Sequence, residues 1–316
     1  MSQPWTTADI ASQAGKRILI TGANSGIGYH AASMLARKGA HVILACRDRQ
    51  RGEDALARLN AEAPAAQAEL ALLDLASLAS VRQFAEQELA AQRPLHVLVN
   101  NAGVMAPPKR LETADGFELQ FGTNVLGHFV LTSLLMPALE RAAAESSERP
   151  RVVTIASIAH KRGRIDFNDL QSTTQYSPMR AYQQSKLADL MFAFELDRRL
   201  RAAHSRVMSV AAHPGVAQTN LFRGGDRSAI SRAARDVLGT VIGTLLNTDD
   251  AGARPSVYAA TSADVRDGGY YGPQGWLEAR GRSVGAADVA SQASDASAAA
   301  RLWQVCEDLT HTRFSL

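Results

Sequence analysis

Only two cysteines, Cys46 and Cys306, occur in 316 residues, which excludes a disulfide framework and any cysteine-based zinc spacing. A reducing compartment suits such a chain. The N-terminal stretch MSQPWTTADIASQAGK lacks the basic-then-apolar profile of a signal peptide. No apolar run approaches the ~20 residues that a membrane span needs. A cytoplasmic protein without an integral membrane segment is expected. Net charge is also scarce, since 34 Lys and Arg stand against 31 Asp and Glu. The excess of +3 is spread along the chain, so no nucleic-acid partner is expected. His160 and His213 have no neighbours at metal-ligand spacing, and no metal site is expected. His213 reads as structural, and His160 as a residue near a substrate. Lysine is the rarest cation, with five copies. One of them, Lys186, follows Tyr182 by four positions in AYQQSKLADL, which places both on one helical face.

What the chain does have is a rhythm. Short apolar runs at 17–21, 41–45, 68–73, 95–99, 151–156 and 206–212 alternate with longer helical patterns, and GGYYG at 268–272 suggests a short seventh strand. Strands apolar throughout are buried on both faces, as in a parallel sheet flanked by helices. The reading is one doubly wound α/β domain over residues 1–316, with an N-terminal extension at 1–15 and a C-terminal extension at 276–316. Residues 217–250 break the rhythm and read as a helical substrate lid. In such sheets ligands sit beyond the carboxyl ends of the strands.

Directly after the first strand comes TGANSGIG, with Gly22, Gly26 and Gly28. Glycines there permit a sharp turn, a close approach of backbone to a pyrophosphate, and tight packing of helix on strand. Gly22, Asn24, Ser25, Gly26, Ile27 and Gly28 are therefore candidate dinucleotide contacts. At the end of the second strand stands Arg47, in the position that turns toward the adenosine ribose. A guanidinium there suits a 2′-phosphate, so NADP(H) is expected over NAD(H). Asp48 is the competing residue, because a strand one residue longer would bring its carboxylate to the ribose.

With these residues in view, the sequence resembles the short-chain dehydrogenase/reductase family. The resemblance rests on TGANSGIG, NNAG at 100–103, Asn124 in FGTNVLGHF, Ser157 after a fifth strand, YQQSK at 182–186 and AAHPGVAQT at 211–219, in order over about residues 15–275. SIAHKRGRIDFNDL and AYQQSKLADLMFAFELDRRL look like its retinol-dehydrogenase-like and protochlorophyllide-reductase-like branch, which has a longer segment between serine and tyrosine. The membrane-anchoring helix of many retinol enzymes is not seen here. The resemblance implies a single-domain Rossmann-type sheet of about seven mostly parallel strands. It also implies a catalytic set of Asn124, Ser157, Tyr182 and Lys186. On the cofactor side it implies contacts from Asp74, Leu75, Asn101, Ala102, Gly103, Pro214, Gly215, Val216 and Thr219, with Tyr182 and Lys186 reaching the nicotinamide ribose. Asp74 reads equally as a cap of the next helix.

Reduction of a carbonyl builds negative charge on its oxygen, which must be stabilised or protonated. A free tyrosine, with a pKa of ~10, exchanges protons poorly near neutrality. A neighbouring ammonium favours the phenolate and makes the exchange easier. Tyr182 is thus the expected acid in reduction and base in oxidation. Tyr176, with Arg180 four positions on, is a decoy, because Pro178 interrupts the helix between them. By resemblance Ser157 polarises the substrate oxygen, and Asn124 holds a water that links Lys186 to solvent. The expected reaction couples an alcohol and a carbonyl, with a lipophilic aldehyde, ketone or secondary alcohol as substrate. Met105, Tyr176 and Trp276 are candidates for the pocket wall. Two alternatives are a C=C or ring reductase with the same site and a non-catalytic NADP(H)-binding sensor, although the intact Ser157, Tyr182 and Lys186 argue against the latter. Phe192 widens the apolar surface of the helix after Lys186, which suggests contact with a second subunit in a homodimer or homotetramer.

Overall fold

The computed structural model describes residues 5–215, 248–275, 278, 279, 281 and 283–316. The expected lid falls almost entirely outside the described residues, as do Val216, Thr219 and Trp276. Strand β1, Arg17–Thr21, is buried along its whole length and leads through the glycine turn into α1, Gly26–Ala36. Gly39, at φ +92°, closes that helix and turns the chain into β2, His41–Cys46. Asp48 then caps α2, Arg49–Glu62, and Ser77 caps α3, Leu78–Ala90, each side chain accepting a first-turn N–H. Between these helices lies β3, Gln67–Leu72, and after them β4, Val97–Asn100. Helix α4, Gly127–Glu145, precedes β5, Arg151–Ile155. Helix α5, Pro178–Ala202, begins on its proline, where the missing N–H costs nothing. The remainder is β6 (Met208–Ala212), α6 (Asp249–Thr261), β7 (Tyr270–Pro273), β8 (Val284–Ala286) and α7 (Ala296–Thr310).

All eight strands form one sheet in the order β3-β2-β1-β4-β5-β6-β7-β8. Seven run parallel, and β8 pairs antiparallel with β7. The eighth strand was not expected, since three residues reading VGA carry no apolar pattern. Successive residues of each strand face opposite layers. Leu19 and Ile43 point into a core built with α3, α4, α5 and α7, while Ile18, Ile20, Val42 and Leu44 point into one built with α1 and α6. This two-sided burial is why the strands read as unbroken apolar runs. Strand order reverses between β1 and β4, and that switch point opens the crevice at their carboxyl ends.

Two expectations change here. Leu119–Glu145 is long and apolar enough to cross a membrane, contrary to the reading of the sequence, but 89% of its apolar window is buried inside the protein. It is the core helix against one face of the sheet. The broad apolar surface of α5 is also accounted for within the chain. Trp303 of α7 stacks on Phe192, with ring centroids 5.7 Å apart, and Phe314 packs on Trp303 and Phe129. The breadth that suggested a second subunit is filled by the chain's own C-terminal helix.

Candidate active site

The crevice at the switch point holds a cavity of about 350 Å³. Its wall brings together Gly22, Asn24, Ser25, Gly26, Ile27 and Gly28 of the turn, Arg47, Asp74 and Leu75, and Asn101, Ala102 and Gly103. Tyr182, Lys186 and Pro214 complete it, so fifteen of the residues expected from the sequence share one surface. Gly215, at φ +73°, is not on that wall and instead donates its N–H to His213 Nδ1 (3.1 Å). Asn124 and Ser157 are not on that wall either, although their neighbours Thr123 and Ala156 are.

The glycine turn is tight for a packing reason. A Cβ on Gly22 would stand 2.9 Å from Ala102 Cα, and one on Gly28 would stand 2.5 Å from the Gly22 carbonyl oxygen. The backbone there has no side chain to keep a ligand off, and α1 points its first N–H groups at the cavity. Beneath the turn, Thr21 acts as a hub that the sequence did not reveal. Its hydroxyl accepts the N–H groups of Asn101 and Ala102, each at 2.9 Å, and reaches His128 Nε2 at 2.8 Å. Since His128 Nδ1 lies 2.8 Å from the Asn124 carbonyl, which can only accept, Nδ1 carries the proton and Nε2 accepts from Thr21. Burial holds His128 neutral, with its pKa lowered to about 3.

Asn124 sits in a π-helical turn, Gly122–Leu126, just before α4. Its side chain accepts from Val104 N–H (2.8 Å) and donates to the Val104 carbonyl (3.1 Å) and to Ser185 Oγ (2.9 Å). The carboxamide braces the loop after NNAG against α5, while the backbone carbonyl of Asn124 accepts from His128 Nδ1.

Tyr182 and Lys186 lie one turn apart on α5, as the spacing required. Lys186 is only 5% exposed, and its ammonium donates to the Ile155 carbonyl (2.9 Å) and to Asp189 Oδ2 (2.8 Å). Burial works against the charge, yet Asp189 and Tyr182 outweigh it and keep Lys186 protonated. Tyr176, the decoy, donates to the Pro107 carbonyl (3.0 Å) and receives Gln120 Nε2 (3.2 Å). Burial pushes its phenol up to about 12.

Ser157 follows β5, where its hydroxyl accepts the Ala159 N–H at 3.2 Å. His160 does not face a substrate space, contrary to the expectation from sequence, because it is fully buried. Its Nδ1 lies 2.7 Å from the Ser157 carbonyl, and its Nε2 accepts the Ala290 N–H at 3.3 Å. The ring therefore ties the serine to the C-terminal extension. His213 is structural as read, with its ring against Tyr270 (5.2 Å) and its pKa lowered to about 3 by burial.

At the adenosine end Asp48 is occupied as the cap of α2, its carboxylate 3.0 Å from the Arg51 N–H. Arg47 and Arg51 both line the cavity, and among the described residues neither guanidinium has a carboxylate partner. Arg51 was missed from the sequence, although it lies within one turn of the cap. Asp74 does not cap α3, where Ser77 takes that position. Its carboxylate accepts the Ala76 N–H (3.0 Å) at the cavity edge. Among the described residues no cluster of His, Cys, Asp and Glu could hold a metal ion.

A phosphate-binding turn at the switch point of a doubly wound sheet, continuous with a tyrosine and a lysine one helical turn apart, defines the class of nicotinamide-dependent oxidoreductases. The chain belongs to the short-chain dehydrogenase family, whose profile matches residues 16–227. It is 45% identical over 260 residues to mouse polyprenol dehydrogenase, covering 82% of this chain and 76% of that one. Human retinol dehydrogenase 13 is 42% identical over 256 residues, covering 80% and 74%. These relatives place the chain in the retinol-dehydrogenase-like branch. An uncharacterized protein from Mycobacterium paratuberculosis shares the fold with a TM-score of 0.79 and 41% identity, covering 99% of this chain and all of that one. The Pseudomonas aeruginosa RhlG/NADP active-site complex superposes with a TM-score of 0.62 at 25% identity, covering 82% and 94%.

Proposed function

We propose that the protein is a cytoplasmic NADP(H)-dependent oxidoreductase that interconverts an alcohol and a carbonyl compound, with a lipophilic aldehyde, ketone or secondary alcohol as substrate. One observation carries the reading. The cavity runs without a break from the glycine turn to Tyr182 and Lys186, so a dinucleotide bound at one end brings its nicotinamide to the phenol at the other. The cofactor supplies or accepts the hydride. The protein's part is proton transfer and charge stabilisation at the substrate oxygen.

In this reading Tyr182 gives its proton to the oxygen of a carbonyl being reduced and takes it back when an alcohol is oxidised. Lys186, protonated and nearly dry, stabilises the phenolate that remains. Ser157 donates a second hydrogen bond to the oxygen and fixes which lone pair faces Tyr182. Asn124 keeps the loop at 101–104 and α5 in register. Arg47 and Arg51 favour a 2′-phosphate, since Asp48 is committed to its helix and, among the described residues, no carboxylate neutralises either guanidinium. The lipophilic substrate class is supported by the relatives, which are dehydrogenases of retinol and of polyprenol.

The test is the loss of reduced-nicotinamide absorbance with NADPH and NADH in parallel, against a panel of long-chain aldehydes and ketones. Tyr182→Phe should lower kcat by about 10²–10⁴-fold while leaving the Kd for NADPH within about twofold. Turnover that survives the loss of the phenol would end this assignment.

A further inference from the structure

The Lys186 ammonium has three N–H bonds, and the structure commits two of them. One goes to the Ile155 carbonyl at the end of β5, and the other goes to Asp189, three residues further along α5. Asp189 is itself only 3% exposed, and among the described residues its carboxylate has no hydrogen-bond or ion-pair partner other than Lys186. From α7 it is faced by the buried Cys306, whose thiol it helps to push up after burial, with Glu307 next in the chain. From α4 the neutral His128 faces Lys186 rather than Asp189. Lys186 is therefore the one cation acting on this carboxylate from any described element around it, and the two charges form an isolated, dry pair.

We infer that Asp189 is a positioning residue: it anchors the Lys186 ammonium on the far side from Tyr182 and sets the strength of the field that Lys186 exerts on the phenol. A bare ammonium beside a phenol makes its proton easier to lose. A carboxylate 2.8 Å behind that ammonium cancels part of the effect, because the phenol then feels a dipole instead of a full charge. Two of the three ammonium hydrogens are held on the wall side, so the third is the one left for the cavity. Asp189 thus fixes direction and strength together. Its own carboxyl is raised by burial to about 6, against the pull of Lys186.

The inference rests on Tyr182 being the acid and base of the reaction, but its test does not depend on turnover. Tyrosinate absorbance is titrated against pH for the wild type and for Asp189→Asn, each as a difference from the same protein carrying Tyr182→Phe, so that only one phenol is read. Four of the other five tyrosines, Tyr29, Tyr176, Tyr270 and Tyr271, are pushed upward by burial. The amide keeps the size of the carboxylate and can still accept from Lys186. Over the pH range in which Lys186 stays protonated, the Tyr182 midpoint in Asp189→Asn should fall by about one unit, and Asp189→Ser should move it in the same direction. Where an alcohol substrate is turned over, the acid limb of the kcat profile should shift by the same amount, about fivefold in rate one unit below the wild-type midpoint. Midpoints within ~0.2 unit of wild type in both folded variants, or midpoints that rise, would overturn the inference. A shifted midpoint in a protein that reduces no carbonyl would sink the proposed reaction and leave the role of Asp189 standing.

Discussion

Gly28 is the point at which packing and ligand binding can be separated by one methyl group. A Cβ placed on it meets the Gly22 carbonyl oxygen and Asn101 Nδ2, each at 2.5 Å, about 0.9 Å inside ordinary contact. Neither neighbour can yield freely. Gly22 is pinned by its N–H to the Ala45 carbonyl (2.7 Å) and by the close approach of Ala102, and Asn101 Nδ2 donates to the Thr21 carbonyl at 2.7 Å. Gly28→Ala must therefore lift α1 from the sheet or break the Asn101 bond. Overpacking of this kind costs about 1–3 kcal/mol, and a lost hydrogen bond adds about 1 kcal/mol. The better helix propensity of alanine returns somewhat less than 1 kcal/mol. The net loss is about 1–3 kcal/mol, which lowers Tm by roughly 2–5 °C in a chain of this size. Raising the helix N-terminus also withdraws its N–H groups from the phosphates, so the Kd for NADPH should rise by about ten- to a hundredfold. Thermal melts followed by circular dichroism and titration of NADPH fluorescence read the two effects separately. A variant that melts within ~1 °C of wild type and binds NADPH within about twofold would refute the packing argument and the placement of the cofactor at this turn.

Arg47→Leu should weaken NADPH by about tenfold, the worth of one exposed charge-assisted hydrogen bond, and leave NADH unchanged; equal losses for both cofactors would remove the 2′-phosphate from the argument. Acid should destabilise the fold through His128 and His213, whose pKa values are lowered from 6.5 to about 3. The unfolded chain takes up their protons below pH 6.5 and the folded one does not, so their contribution is whole above pH 6.5 and is lost as pH falls toward 3. Each accounts for about 1.4 kcal/mol per pH unit, and the raised carboxyl of Asp189 offsets one of the two between about pH 6 and 4. Urea midpoints that do not fall between pH 7 and 5 would contradict this.

The features legible in the sequence are those whose chemistry is local. The glycine turn declares itself because only glycine admits that backbone, and it stands at the end of an apolar strand. Tyr182 and Lys186 declare themselves because a helix makes four positions into neighbours, and Pro178 disqualifies Tyr176 by the same local reasoning. Asp48 could not be settled from residue type alone, since a carboxylate serves a ribose and a helix cap equally well. What stayed hidden depends on distance along the chain. Thr21 meets His128 across 107 residues, and His160 meets Ala290 across 130. A histidine four places after Asn124 and an aspartate three places after Lys186 were within reach of a helical reading. Neither residue type, however, says whether its partner is a neighbour or a ligand.

These long-range contacts fall unevenly over the site, and the unevenness has a mechanical consequence. The cofactor end is built from β1, β2 and the turns that follow them, all within the first third of the chain. The catalytic end is braced from its last tenth. Ala290 holds the ring that holds Ser157, Gln292 Nε2 donates to the carbonyls of His160, Lys161 and Gly163, and Trp303 stacks on Phe192 behind Lys186 and Asp189. Arg82 clamps the end of α7 through the Thr310 carbonyl (2.7 Å) and Thr312 Oγ1 (2.9 Å). A perturbation of α7 therefore reaches Ser157 and the Lys186–Asp189 pair together, while the glycine turn keeps its own supports in Thr21 and Ala102. In the proposed reaction, dinucleotide binding and proton transfer rest on separate parts of the fold, and damage to the C-terminal helix should show in kcat before it shows in cofactor affinity.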